Sequence, residues 1–384
     1  MKVAVVTDYF PTSLNPWAGH SAYQTLRLLA KQCDLHVFCS DPQYPFFLTP
    51  AARRGKHIDH TWRPPDVPVT YVTYPLIPVV SRPLNGLAIA HYLTPDVRAF
   101  QPDLILSYVI YPDGYAAVRI GRTLNVPVVL TAIGSDLNRI PGRLVARHVG
   151  TALRKANFVL TVSHDLCNTA RRLGASPARS KAELNGCDTA VFYPRGRAEA
   201  RASLGLPPHQ DFLVYVGRLD VRKGLVELVE AMSQLRATRP DTHCYLVGDG
   251  PDKPILEQAV ARLNLSETVT FIPACLSPRI AVWMAASNLV TLPSYNEGCP
   301  NVVIEAMASG RPVVATRVGG IPELMDDEAG RLVPPKNPKA LAEALDVVLS
   351  KTWNAEAISR RHGRSWQEVA TNVYQTLEQT LANR

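Results

Sequence analysis

Two doubly wound parallel sheets, each in its own α/β domain, are what this sequence predicts, and three observations carry the prediction. The chain has 384 residues, more than one compact core holds and suited to two domains of roughly 150–200 residues each. Short β-branched runs alternate with helix-period segments through both halves, the pattern of βαβ units. A stretch at 187–208, passing through a charged alanine-rich segment to Pro207-Pro208, separates the two series.

In the first half, strands are expected at 3–7, 35–39, 104–107, 128–131 and 159–162. The opening run, Lys2-Val3-Ala4-Val5-Val6-Thr7-Asp8, is too short for the apolar region of a signal peptide and ends on a carboxylate, so it reads as a buried strand. Ser21-Ala22-Tyr23-Gln24 reads as a capping box opening the first helix. Residues 41–84, rich in proline and aromatics, read as an irregular excursion. In the second half, strands are expected at 212–216, 243–247, 269–272, 289–292 and 313–316, and an amphipathic helix at 366–381 closes the chain. The expected domains are 1–190 and 191–365, with 366–384 returning to the first. Ligands of such sheets bind outside the carboxyl ends of the strands, so two facing sheets imply a central cleft.

Composition narrows the class. With 46% hydrophobic and 19% charged residues, the chain is neither disordered, collagen-like nor a coiled coil. No apolar run approaches the ~20 residues of a membrane span, and the most apolar stretch, 69–80, is cut by Pro75 and Pro78. Seven cysteines without a C-x-x-C pair suit neither a disulfide framework nor a zinc site and fit a reducing cytoplasm. Charge is uneven: residues 1–187 hold 20 Lys+Arg and 11 Asp+Glu, whereas 188–384 hold 21 and 22. The basic half calls for an acidic partner. Arg143, Arg147 and Arg154 recur at helical spacing beside Arg139 and Lys155, opposite Leu144, Val145, Val149 and Leu153. That stripe fits either a solvated helix face or an anionic surface. No RNP-like aromatics, helix-turn-helix or Cys/His finger accompany it, which disfavours nucleic acid.

Two loops carry the chemistry. After the strand at 212–216 comes Gly217-Arg218-Leu219-Asp220-Val221-Arg222-Lys223-Gly224. Glycines bracket the cations Arg218 and Lys223 just before a helix, a combination that binds a diphosphate. It is neither a P-loop nor G-x-G-x-x-G. After the strand at 289–292 comes Pro293-Ser294-Tyr295-Asn296-Glu297-Gly298-Cys299-Pro300-Asn301-Val302-Val303-Ile304-Glu305, then Ala-Met-Ala-Ser-Gly310. Asn301 is expected to cap a short helix that Gly310 ends. Glu297 before the helix and Glu305 within it can reach different hydroxyls of one extended ligand, with the amides of the helix start between them. Taken singly, each loop would serve as an ordinary connection.

Together these segments resemble glycosyltransferase family 4, the retaining nucleotide-sugar transferases of the GT-B fold. The run from Glu297 to Glu305 is similar to the family's E-x7-E motif, and 217–224 to its phosphate-contacting turn. Further likenesses are Leu246-Val247-Gly248-Asp249-Gly250-Pro251, Asn185-Gly186-Cys187-Asp188 with Phe192 and Pro194, Arg311-Pro312-Val313-Val314-Ala315-Thr316, and Gly319-Gly320-Ile321-Pro322-Glu323.

The resemblance implies a GT-B fold of two Rossmann-like domains facing a cleft. It implies Arg218, Lys223 and Glu297 as catalytic residues, with Arg218 and Lys223 on the donor diphosphate and Glu297 on the transferred sugar. Glu305 would take the ribose hydroxyls, backbone at Gly217, Gly298, Cys299, Asn301, Val302 and Val303 the phosphates and sugar, and Ala274 the base, beside Pro273 where the family usually has glycine. In the first domain Gly19 would approach the phosphate. Ser135 and Asp136 face the acceptor, because Ile133 stands where many members carry a sugar-contacting histidine. Gly134-Ser135-Asp136 is similar to enzymes building bacterial surface polysaccharides. No metal or cofactor is expected, since the chain has no Asp-x-Asp pair, and UDP is expected before GDP. The expected partners are a nucleotide-sugar donor, a sugar, lipid-linked or small-molecule acceptor, and an anionic membrane surface met by the basic domain at the inner face of the membrane. The alternatives are a non-catalytic nucleotide-sugar-binding subunit, or another GT-B enzyme such as an epimerase or a phosphorylase.

Overall fold

Runs of β-branched and aliphatic residues bounded by turn formers become parallel strands, and the central ones, buried on both faces, carry no polar alternation. The computed structural model describes residues 1–45, 47, 57–77 and 79–383. It divides into two units, Met1–Leu184 with Trp366–Arg384, and Asn185–Ser365.

The first unit holds β1 (Lys2–Val6), β2 (Asp34–Gln43), β3 (Val69–Pro75), β4 (Leu104–Tyr108), β5 (Val128–Ala132), β6 (Phe158–Thr161) and β7 (Ser180–Ala182). Its helices are α1 (His20–Leu29), α2 (Asn85–Phe100), α3 (Tyr115–Leu124), α4 (Ser135–Asn138), α5 (Arg143–Lys155) and α6 (His164–Arg172). The second holds α7 (Arg197–Leu204), β8 (Phe212–Val216), α8 (Leu225–Leu235), β9 (His243–Val247), α9 (Lys253–Arg262), β10 (Val269–Ile272), α10 (Ser277–Ala286) and β11 (Leu289–Leu292). It continues through α11 (Asn301–Ala308), β12 (Val313–Thr316), α12 (Ile321–Leu324), β13 (Gly330–Val333), α13 (Pro338–Ser350) and α14 (Ala355–His362). The chain closes with α15 (Trp366–Ala382) in the first unit. There Trp366, Val369, Val373 and Leu377 join the core of Ala22, Leu26 and Leu29 from α1.

The sheets run β3-β2-β1-β4-β5-β6-β7 and β10-β9-β8-β11-β12-β13, all parallel. Both are Rossmann-like, as expected. In the second, the strand order reverses between β8 and β11, so the loops after these two strands flank the crevice where such sheets bind ligands. Those are the two loops singled out by their chemistry.

Several expectations need correction. The stretch 41–84 is not wholly irregular: β2 runs on to Gln43 and β3 lies inside it, while residues 46, 48–56 and 78 lie outside the described residues. β3 is an edge strand, the position that tolerates its terminal Pro75. The alanine-rich segment of the expected linker forms α7, anchored by Arg201, whose guanidinium donates to the carbonyls of Ala286 and Pro208 and to Asn288. Residues 185–190 pack with the second unit instead of the first, because the Asn185 side chain and the Cys187 amide bond to Cys299 and Arg364. Ser21 does not cap α1. The helix begins one residue earlier, at His20, behind Gly19 in left-handed conformation with φ 60°.

Candidate active site

The loop after β8 is shaped by contacts that leave no room for a Cβ. A methyl on Gly248 would stand 1.9 Å from the Gly217 carbonyl oxygen, and one on Gly224, at φ 68°, 1.9 Å from that of Pro293. Leu219 is fully buried, with its amide donating to the Asp249 carbonyl. Buried Tyr215 donates its hydroxyl to the Arg218 carbonyl at 2.8 Å. Asp220 caps the turn Val221–Lys223 by accepting from the Arg222 amide at 2.9 Å, and it also pairs with the Arg222 guanidinium. Those donors hold the Asp220 carboxyl well below the usual range. Arg222 is thereby engaged, whereas the exposed Arg218 forms no ion pair among the described residues.

Lys223 turns the other way. Its Nζ donates to Glu297 Oε1 at 2.7 Å, with side chains 32% and 12% exposed. The loop after β11 is tied to the first by the Tyr295 amide, which donates to the Arg222 carbonyl at 3.0 Å. It is tied to the β12 side by the Gly320 amide, which donates to the Gly298 carbonyl at 3.1 Å. Gly319, at φ 50°, allows this approach: a Cβ there would meet the Glu297 carbonyl oxygen at 1.8 Å.

Asn301 is not the cap of α11. Pro300 occupies that position in extended conformation and Asn301 is the first helical residue. The Asn301 Oδ1 instead accepts from Asn185 Nδ2 at 2.8 Å, and the same nitrogen donates to the Cys299 carbonyl at 3.1 Å. Asn185 therefore fixes the entry to α11, and its own amide donates to Cys299 Sγ at 3.3 Å. Burial pushes that thiol up to about 12, so Cys299 serves as a packing residue and not as a nucleophile. The first turn of α11 begins at Asn301 and Val302, whose amides stand before the start of the intrahelical ladder, while the Val303 amide donates to the Pro300 carbonyl at 3.1 Å. Glu305, partly buried one turn further on, has its carboxyl pushed up to about 7 by desolvation.

Thus Gly217, Arg218, Lys223, Glu297, Gly298, Cys299, Asn301, Val302, Val303 and Glu305 gather around the β8/β11 switch point. Ala274 follows β10, and its amide is already taken by Asp249 Oδ2 at 3.0 Å. The structure adds Asn185 and Tyr215. Asn185 lay within a motif noted in the sequence, but nothing local showed that it reaches residues 114 and 116 positions away.

In the first unit, Gly19 closes the loop after β1, where a Cβ would stand 2.1 Å from the Tyr9 carbonyl oxygen. Ser135 is exposed at the start of α4. Asp136 does not present a free carboxylate: it accepts from the amides of Ile110, Ile133 and Gly134 at 2.9, 3.1 and 2.9 Å. It organises that loop, and burial outweighs these donors to raise its pKa. Asp113, fully buried beside Asp8, escaped the sequence reading. Ser40 donates to it at 3.2 Å, and burial together with the neighbouring Asp8 charge raises its pKa well above the usual range. Among the described residues no group of three His, Cys, Asp or Glu could hold a metal ion.

Two family models match: Glycosyltransferase Family 4 over residues 18–191 and Glycosyl transferases group 1 over 210–351. The putative teichuronic acid biosynthesis glycosyltransferase TuaC of Bacillus subtilis is 32% identical, covering 98% of this chain and 94% of its own. The chain belongs to glycosyltransferase family 4. This family 4 glycosyltransferase is also 33% identical to the D-inositol 3-phosphate glycosyltransferase of Jonesia denitrificans, over 54% of this chain and 53% of that one. Two solved structures share its fold across nearly the whole chain. They are sucrose-phosphate synthase of Thermosynechococcus elongatus (TM-score 0.79, 23% identity, 100% of each chain) and Anabaena HepE in complex with UDP (0.77, 21%, 99% and 100%). The fold is GT-B, as the sequence led one to expect.

Proposed function

We propose that this family 4 glycosyltransferase moves a sugar from a nucleoside diphosphate donor to an acceptor hydroxyl with retained anomeric configuration and without a metal. The observation that carries the reading is the Lys223–Glu297 pair at the switch point, beside the exposed Arg218 and the start of α11. In this reading a cation for the diphosphate and a carboxylate for sugar hydroxyls lie side by side beyond the carboxyl ends of the two central strands. As the anomeric C–O bond breaks, negative charge grows on the departing diphosphate oxygen. Arg218, Lys223 and the α11 amides meet it there, each donor contributing ~3–4 kcal/mol. The acceptor oxygen bonds to the anomeric carbon on the same face and passes its proton to the leaving phosphate. No carboxylate of the site is placed as a covalent nucleophile in this route.

UDP is the proposed nucleotide, in keeping with the fold neighbour HepE, solved with UDP and with UDP-glucose. Bacterial surface polysaccharide or glycolipid synthesis is the proposed setting, in keeping with the relative TuaC. Among the described residues no helix is long and apolar enough to cross a membrane. The proposed location is cytoplasmic, at the inner face of the membrane, where the basic first unit meets anionic lipid.

Purified protein incubated with a UDP-hexose is expected to release UDP well above a Glu297→Ala control, and UDP is expected to raise Tm more than GDP or ADP. No release, together with no shift by any of the three diphosphates, overturns the reading.

Glu305 supplies a second test. Ribose hydroxyls donating to its ionised carboxylate would lower a pKa that desolvation has raised to about 7. UDP affinity should therefore tighten as pH rises towards 7, by up to about tenfold per unit, and level off above it. In Glu305→Gln that segment of the pH profile should be flat. Isothermal titration across this range decides the point, and matching profiles in the two proteins remove Glu305 from the ribose.

A further inference from the structure

The first unit carries an amphipathic surface that the transfer reaction does not use. Ser81 bonds back to Ile77: its amide and hydroxyl both donate to the Ile77 carbonyl, while the Ile77 amide donates to the Ser81 hydroxyl at 3.0 Å. Beside this contact Val79 and Val80 are 73% and 75% exposed, and Leu84 follows at 58%. The short helical turn Arg82–Leu84 packs against α5 and α2. It is held there by Tyr111, which donates to the Arg82 carbonyl and stacks on His148 of α5. On α5 the exposed positions include Arg143, Leu144 (59%) and Arg147, while Val145, Val149 and Leu153 face the core. Neither α5 nor the neighbouring α3 contains an acidic residue, and α2 contributes a single one, Asp96.

The geometry points to this surface as the docking site for an anionic lipid bilayer: Val79, Val80, Leu84 and Leu144 enter the acyl boundary while Arg82, Arg143 and Arg147 meet the headgroup phosphates. Charge complementarity selects the partner. A solvated helix face does not require four large aliphatic side chains in water, and a polyanion such as nucleic acid would have no use for them. A bilayer interface satisfies both chemistries at once, since apolar side chains partition into it and each arginine adds attraction to anionic lipid. The inference rests on the membrane location proposed above and names the surface responsible for it.

Co-sedimentation of the full-length protein with vesicles tests it, using phosphatidylcholine alone and phosphatidylcholine mixed with phosphatidylglycerol. Binding is expected only to the mixed vesicles and should weaken with salt. Arg143→Gln and Arg147→Gln should each lower the partition coefficient about fivefold. Val80→Ser should lower it without altering salt dependence. All three positions are exposed, and an unchanged Tm shift with UDP confirms that each variant is folded and keeps its donor site. Equal binding to both vesicle types overturns the proposal, as does full binding by Val80→Ser, Arg143→Gln and Arg147→Gln. Loss of binding to a single-stranded polynucleotide in the arginine variants, with Val80→Ser unaffected on vesicles, marks a general polyanion surface instead. A protein that binds vesicles as expected but neither releases UDP from a UDP-hexose nor shifts with any of the three diphosphates would leave the surface standing and remove the proposed donor reaction.

Discussion

Lys223→Ala is expected to lower kcat by about a hundredfold to a thousandfold, the usual cost of removing one preorganised donor from a developing oxyanion. The same substitution strands the Glu297 carboxylate, which is 12% exposed and loses its ion-pair partner at 2.7 Å, so a modest fall in Tm should accompany it. A double variant, Lys223→Ala with Glu297→Gln, separates the two effects. Removing the stranded charge should return Tm towards that of the parent, while turnover stays low. Single-turnover kinetics beside thermal melts of all four proteins complete the cycle. If the double variant recovered turnover as well as Tm, the lysine would be holding Glu297 in place and not meeting the diphosphate.

Gly319→Ala is expected to be among the most damaging small substitutions in the second unit. Its φ of 50° already costs an L-residue roughly 1–2 kcal/mol. The added Cβ would also stand 1.8 Å from the Glu297 carbonyl oxygen, which forces the two loops apart. A total loss of about 3–5 kcal/mol, read by urea denaturation, follows from strain and overpacking together. Because the displaced carbonyl belongs to Glu297 itself, kcat/KM should fall at least a hundredfold even in the fraction that stays folded. Gly205→Ala is the control. It has a similar φ of 69° but nothing within 4 Å of the added atom, so it should show the conformational cost alone, with activity retained. Equal destabilisation of the two variants would mean that the close approach at Gly319 relaxes freely.

Both predictions concern loops whose chemistry was legible in the sequence while their arrangement was not. Arg218, Lys223, Glu297 and Glu305 stood out because their residue types and spacing after apolar strand runs suit a diphosphate and sugar hydroxyls. Their gathering follows from sheet order: β8 lies next to β11, and that adjacency comes from a crossover that no local signal records. The cap of α11 was misassigned for a related reason. Asn301 has the right chemistry for a cap, but its side chain is claimed by Asn185 at 2.8 Å, and proline takes the extended position before the helix. Asp136 likewise looked available as a polar group beside a glycine, whereas three main-chain amides claim it. β3, β7 and β13 went unread because all three are edge strands, whose only partly buried residues break the apolar run that marks a central strand.

What the sequence determined by itself is the set of elements with strong periodic or apolar patterns, the division into two α/β halves, and the identity of the groups able to carry phosphate and sugar chemistry. These are local properties: burial pattern, turn residues and side-chain type act over a few positions. The tertiary structure alone decided the partners: Lys223 with Glu297, Asn185 with Asn301, Asp113 beside Asp8, and Gly319 against Glu297. Each joins residues distant in the chain, or turns on a few tenths of an ångström between backbones. Such contacts are selected by the packing of the whole unit and by the need to satisfy buried polar groups, which no short stretch of sequence encodes.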